Sequence, residues 1–398
     1  MAELKIMFWN IHNAYSYKVH MLTADDEAAE EDDQAQGANG GEAQAGEESK
    51  KDEPQRVERL FRLRNREVSK KVSEVVKNIN PDLVVLVDYS LGQYKLITDD
   101  DNSQEGEQGS PGNGNPPGDN TPSGESGSQV TFFDRFGPYQ YKSDLNNLYK
   151  KDGSKRAWDV QLVAMNASDL FEGEATAFEL YGVLWDKAKL KAEEHLATET
   201  DGKKGKLTFQ PRSPATTLFS LKDQPETKFR LFVFHGPTKK KDATKDERVT
   251  SIKNLSALKK LDEAINGTKK TKKMPLLLAG NFNLDRDDPD EKVAYNPLLE
   301  GLGLKVCING KTEFEKKAQG EKAEPAADEG DAKPEAGKAE DADKLELTSA
   351  CDNIFTLNFE EGGSQGSIYD FIKEDCENDV DQALAVSNHL PISVIVRL

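Results

Sequence analysis

The chain has 398 residues, of which 36% are hydrophobic and 31% charged, and carries a formal net charge of −19. Spread evenly, that charge would argue against a nucleic-acid partner, and no apolar run approaches the roughly 20 residues of a membrane span. The charge is not spread evenly. Residues 23–55 are rich in Ala, Gly, Glu and Asp, residues 97–130 in Gly, Ser, Asn and Pro, and residues 315–346 in Lys, Glu, Ala and Pro. Nearly free of large apolar side chains, such segments cannot offset the entropy lost on ordering, and they read as disordered insertions. Together they hold 30 acids against 8 lysines, a net −22 that leaves the other 299 residues at +3. The expectation is one large domain over 1–398 with three low-complexity insertions and a near-neutral body that can accept a phosphate-bearing ligand.

In chain order, Leu4 to Trp9 is apolar and β-rich and Asn10 ends it, as a central strand delivering a polar group would. Charge interrupts the N-terminal MAELKIMFWNI and no cleavage site follows, so it reads as that strand and not as an export signal. Three cysteines (Cys307, Cys351, Cys376), an odd number without an export signal, read as free thiols in a reducing cytoplasm. Apolar residues from Val57 to Ile79 recur at helical spacing, ending at Asn80-Pro81. Leu83 to Val87 is a short continuous apolar run, fitting a strand buried on both faces, with Asp88 directly after it. Further strands are predicted over Val130 to Phe133, Trp158 to Met165 and Phe178 to Trp185. Leu207 to Phe209 and Thr216 to Leu221 read as a hairpin around Arg212-Ser213-Pro214.

Phe229 to Phe234 runs into His235-Gly236-Pro237, and Arg248 to Ile265 has the spacing of a crossover helix. The run LLLAGNFNLD, Leu276 to Asp285, reads as a buried strand broken by Gly280 and ending in a polar turn. Apolar stretches follow at Pro297 to Leu302 and Leu304 to Ile308. Asp352 to Leu357 is a strand, and Ser387-Asn388-His389-Leu390-Pro391 leads into a last one, Ile392 to Arg397.

These polar strand ends are unspecific singly, but their order is informative. Gly280-Asn281-Phe282-Asn283 resembles the GDFN strand end of the endonuclease/exonuclease/phosphatase superfamily, the DNase I-like proteins. PDLVVLVD at Pro81 to Asp88 resembles that family's PDIVxLQE strand, and FELYGVLW its YAVLY strand. Ser387-x-His389-x-Pro391 closes the series. The resemblance implies a four-layer α/β sandwich, two mixed β-sheets face to face with helices outside. It implies divalent-cation-dependent phosphoester hydrolysis, with Mg²⁺ or Mn²⁺ as cofactor and a phosphodiester substrate, nucleic acid included. Asn10, Asp88 and Asn388 would then lie at the metal, His389 with Asp352 would form an imidazole–carboxylate pair, His235 and Asn283 would meet phosphoryl oxygens, and Arg212 would grip phosphate in a forked contact.

Two departures bear on activity. The family pattern has aspartate at Asn281, which counts among the catalytic positions, and at Asn388. An amide keeps the shape of a carboxylate but has no charge and is no base at neutral pH. Metal affinity should fall with the ligand charge, and a lost base costs on the order of 10²- to 10⁴-fold in rate. Asp88 stands where the family has glutamate, one methylene shorter. Asp285, Asp287 and Asp288 could swing a carboxylate inward, although solvated loop acids are the plainer reading. Three functions follow from this pattern: a metal-dependent, nuclease-like phosphodiesterase of weakened activity; an inactive member that binds a phosphorylated ligand or a protein; or a phosphatase or phospholipid phosphodiesterase of the same fold. The inositol-phosphate phosphatases' Cys-Asp-Arg triplet is Cys351-Asp352-Asn353 here, without the arginine, and Lys239 to Lys241 and Lys269 to Lys273 form basic loops without interleaved aromatics. The sequence gives no sign of an oligomer.

Overall fold

A computed structural model of the chain describes residues 2–11, 68–92, 137–165, 177–209, 211–238, 244–268, 272–316, 345–360 and 364–398. Two of the three expected insertions and the expected strand at Val130 to Phe133 lie outside these residues. Of the third insertion, 317–344 lies outside; its ends do not behave as low-complexity chain. Glu315 and Lys316 finish the strand Glu313–Lys316, Leu345 and Glu346 begin the strand Leu345–Ser349, and the two strands pair antiparallel.

The continuous apolar runs form the centres of two sheets. In the first, the spatial order is Gln365–Ile368, Ile392–Arg397, Glu3–Asn10, Leu83–Gly92, Ala177–Asp186, Trp158–Ala164. In the second, it is Lys305–Val306, Asp352–Leu357, Leu276–Asn281, Lys228–His235, Ala215–Leu221, Leu190–Ala192, with Ala197–Thr198 also on Ala215–Leu221. Each sheet has one parallel pair at its centre, Glu3–Asn10 with Leu83–Gly92 and Lys228–His235 with Leu276–Asn281, and antiparallel neighbours on both sides. A parallel pair needs a crossover. The helix over 68–79 precedes the second strand of the first pair, and the helices Lys245–Ser256 and Lys259–Asn266 lie between the strands of the second.

Strand alternation sorts these runs into layers. Leu4, Ile6, Phe8, Leu83, Val85, Val183 and Val394 from the first sheet meet Phe219, Leu231, Val233, Leu277, Ala279 and Ile354 from the second. The opposite faces bury Met7, Trp9, Val84 and Leu86 against Val72, Val75, Tyr141 and Leu145, and Phe232, Phe234, Leu276 and Leu278 against Ile252, Leu255 and Leu261. The architecture is therefore the four-layer α/β sandwich of two mixed sheets, and burial on both faces is why the strands read as unbroken apolar runs.

Two expectations are corrected. The single helix over Arg248 to Ile265 is two helices, the first opened by a Thr244–Glu247 capping box. It breaks at Ala257, whose carbonyl accepts from Lys203 N at 3.1 Å, while Leu258 bridges to Gly202. The helical apolar pattern runs through the break because Leu258 and Leu261 are both buried in the same cluster. Leu207 to Phe209 is not a strand: Phe209 packs edge-on to Phe234 at 6.3 Å, and Ala215–Leu221 takes Lys228–His235 as its hairpin partner. The helices Gly137–Lys151, Phe371–Asp375 and Val380–Val386 were not foreseen. No helix among the described residues is long and apolar enough to cross a membrane.

Candidate functional site

The C-terminal ends of both parallel pairs carry the polar residues. In the second sheet, His235 is in register with Asn281 and Asn281 with Asp352, so three polar side chains stand in one row across three strands. Close approach is required there: a Cβ on Gly280 would lie 2.3 Å from Phe234 O, and one on Gly236 2.5 Å from Phe282 O. In the first sheet, Asn10 is in register with Val87, which places Asp88 one step beyond it.

Asp88 does not simply follow its strand. The Leu83–Gly92 strand continues past it, and its pairing shifts between Leu86 and Tyr89, so that Val87 and Asp88 face the single residue Tyr181. Asp88 sits in this bulge with φ +59 and is buried. A bulge re-aims a side chain, here out of the alternation that sends Val84 and Leu86 to the helical side. Tyr181, opposite the bulge, accepts from His235 N at 3.1 Å and so ties the two sheets at the site.

The His389 Nδ1 lies 2.7 Å from Asp352 Oδ2, both residues being almost wholly buried. Thr312 Oγ1 donates to the same carboxylate oxygen at 2.7 Å and accepts from Asp352 N at 3.3 Å. Trp9 Nε1 donates to His389 O at 2.8 Å, and Ser387 Oγ donates to Asn10 O at 2.7 Å while accepting from His389 N at 2.9 Å. The end of the first strand and the 387–389 loop are thereby locked together. Burial alone would lower the His389 pKa; the Asp352 charge and hydrogen bond, helped by Glu313 and Asp88, outweigh it and hold the imidazole above its ordinary 6.5. In sequence, Ser387 stands out only as part of the Ser387-x-His389-x-Pro391 motif, without a role of its own, and Thr312 not at all, because an isolated hydroxyl gives no signal until its partner is known.

Asn281 Oδ1 accepts from Asn283 N at 2.8 Å, an Asx-turn with Asn283 at φ +51. Because that donor must meet the oxygen, the amide orientation is fixed. Its Nδ2 is then buried without a hydrogen-bond partner among the described residues, at the position where an aspartate would hold its second oxygen. Asn388 Oδ1 is likewise buried and without such a partner. Asn283 Nδ2 and an Arg212 guanidinium nitrogen both donate to Gly236 O, at 2.6 and 3.2 Å, which brings the predicted phosphate contacts onto one carbonyl beside His235. Arg212 is buried.

The acids after the turn are occupied elsewhere. Asp285 Oδ1 accepts from Asp287 N and Ala350 N, Asp288 caps the helix Pro289–Lys292, and exposed Asp287 pairs with Arg286. None replaces the missing carboxylates. The basic loops fall largely outside the described residues. A surface cavity of about 540 Å³, lined by Gln161, Trp185, Lys187, Lys191, His195 and Lys222 among others, includes none of the candidate residues.

No family model and no curated protein sequence matches the chain. Among solved structures, it is similar to the human Nocturnin catalytic domain with bound sulfate, at 12% identity and a TM-score of 0.46, over 99% of this chain and 94% of that one. A mannosyl-6-phosphatase from Bacteroides thetaiotaomicron gives 13% and 0.45, over 99% and 100%. An endonuclease/exonuclease/phosphatase from Bacteroides vulgatus gives 13% and 0.46, over 100% of both chains.

Proposed function

We propose that the chain is a divergent member of the endonuclease/exonuclease/phosphatase superfamily that hydrolyses phosphoester bonds, with a phosphodiester, nucleic acid included, as its substrate. The observation that carries this reading is the buried His389–Asp352 pair at 2.7 Å, set beside the strand ends that bear Asn10 and Asp88. A carboxylate buried on an imidazole Nδ1 fixes the tautomer and leaves Nε2 as the nitrogen that exchanges a proton with the reacting oxygen. Thr312 holds Asp352 in place, and Trp9 and Ser387 hold the His389 backbone.

The donors near the first sheet suit a hard divalent cation. Asp88 supplies one carboxylate, Asn10 an amide oxygen, and Asn388 a buried Oδ1 without a hydrogen-bond partner among the described residues. Mg²⁺ or Mn²⁺ held there would supply charge stabilisation at the phosphoryl oxygens. Arg212 and Asn283, gathered on Gly236 O, with His235 beside them, would orient the phosphate.

The test is hydrolysis of bis-p-nitrophenyl phosphate, DNA and RNA with Mg²⁺ or Mn²⁺, beside His389→Ala. The reading expects metal-dependent turnover that His389→Ala lowers by about 10²- to 10⁴-fold; turnover indifferent to that substitution sinks it. A second reading, a member that binds a phosphorylated ligand or a protein without cleaving it, is favoured by the uncharged Asn281 and Asn388. Ligand binding without turnover in any metal would select it.

A further inference from the structure

Beside the His389–Asp352 pair lie two donors, Cys351 and Glu313, that the hydrolytic reading does not use. Cys351 Sγ is 3.8 Å from Asp352 Oδ2, 4.0 Å from His389 Nδ1 and 3.8 Å from Glu313 Oε2. The cysteine, aspartate and histidine donors lie within 4.8 Å of one another, and all three residues are buried. Glu313 is half-buried and bridges to His389 through the backbone. Asp352 Oδ1 is buried with no hydrogen-bond partner among the described residues.

We infer that Cys351, Asp352 and His389, completed by Glu313, form a site for a soft divalent ion of the Zn²⁺ or Cd²⁺ class, and that its occupation switches the hydrolytic site off. Thiolate, imidazole and carboxylate are the ligands such ions take, four at a time and tetrahedrally. Bonds of about 2.0–2.3 Å at tetrahedral angles put neighbouring donors about 3.3–3.7 Å apart. The sulfur already stands within a few tenths of an ångström of that from three partners. The 2.7 Å imidazole–carboxylate contact must widen, or the ion must take Asp352 through its unpartnered Oδ1.

On binding, Cys351 loses its thiol proton to solvent, and His389 yields its Nδ1 proton to solvent as the ion takes that nitrogen. Nε2 keeps its proton if the imidazole began doubly protonated and takes one from solvent if it began neutral, so the bound imidazole is neutral and protonated on Nε2. That nitrogen becomes a fixed donor and can no longer accept a proton. Mg²⁺, a hard ion that demands octahedral oxygen ligands, has no use for the sulfur site, so the two ions do not compete for it.

The inhibitory consequence rests on the phosphoesterase reading; the ion site does not. Both are separated by titrating CdCl₂ into the full chain in excess Mg²⁺ while following ultraviolet thiolate-to-Cd²⁺ charge transfer and bis-p-nitrophenyl phosphate hydrolysis. The band should saturate at one ion per chain, persist in Cys307→Ser and Cys376→Ser, vanish in Cys351→Ser, and need at least tenfold more Cd²⁺ in Glu313→Gln. Zn²⁺ should abolish hydrolysis by the wild type and leave Cys351→Ser at least tenfold less sensitive. A band that survives Cys351→Ser, or that Glu313→Gln leaves unchanged should the serine variant not fold, overturns the site. A band with no loss of hydrolysis overturns the switch. If no metal supports hydrolysis at all, the functional reading fails while the band still decides the site.

Discussion

The two sheets share one strand pattern and supply opposite chemistries. Each centres on a parallel pair with antiparallel neighbours, and each delivers its polar groups at the carboxyl ends of that pair. The second sheet contributes His235, Asn281 and Asp352 in one register row, and Asp352 reaches the His389 loop in a buried, hydrogen-bonded pair that Thr312 supports. The first contributes Asn10 and a single carboxylate, Asp88, aimed by a bulge. On the proposed reading, the pair that would handle protons is complete while the charge that would hold a cation is thin. The imidazole–carboxylate pair itself spans both sheets, Asp352 coming from the second and His389 from the loop that is tied to the first strand and leads into Ile392–Arg397.

Breaking the intact side should have the largest effect. His389→Ala is expected to lower phosphodiester hydrolysis by about 10²- to 10⁴-fold at unchanged circular dichroism, measured with Mn²⁺ as well as Mg²⁺. Asp352→Ala should destabilise the fold by about 3–5 kcal/mol in denaturant titration, since it strands a buried imidazole. In Asp352→Asn the charge that outweighs burial is gone, so nuclear magnetic resonance titration should find the His389 pKa lowered relative to wild type.

How much of this was legible in the sequence differs between the sheets. The apolar runs at Leu83 to Val87, Leu231 to Phe234 and Leu276 to Ala279 declared their strands because burial on both faces selects apolar side chains throughout. His235, Asn281, Asp352 and His389 stood at strand ends whose order could be read. The bulge at Asp88 could not: it depends on Tyr181 facing two residues, a pairing fixed only across strands. Thr312 is a single hydroxyl whose role exists only because Asp352 folds against it, 40 positions away in sequence. The break at Ala257 is set by Lys203, which local helical spacing cannot see.

Smaller effects sharpen the comparison. Thr312→Val removes one hydrogen bond to a carboxylate and should cost about 1.5–3 kcal/mol in denaturant titration. The pH dependence has a definite sign. Because the folded His389 pKa lies above its ordinary 6.5, the stability this group contributes is fully present below that value and is lost as pH rises through the folded pKa. The stability gap between wild type and His389→Ala should therefore narrow over that rise, as chemical denaturation across pH will show.

The thin side is tested most directly by calorimetric Mg²⁺ titration of the wild type beside the double variant Asn281→Asp, Asn388→Asp. Asn281 keeps its turn-forming oxygen in the aspartate and turns an unpartnered amide nitrogen into a second carboxylate oxygen, and Asn388 gains a charge beside His389. Two restored charges should tighten Mg²⁺ binding by at least about tenfold, which is about 1.4 kcal/mol. Equal affinities in the two proteins would contradict the account.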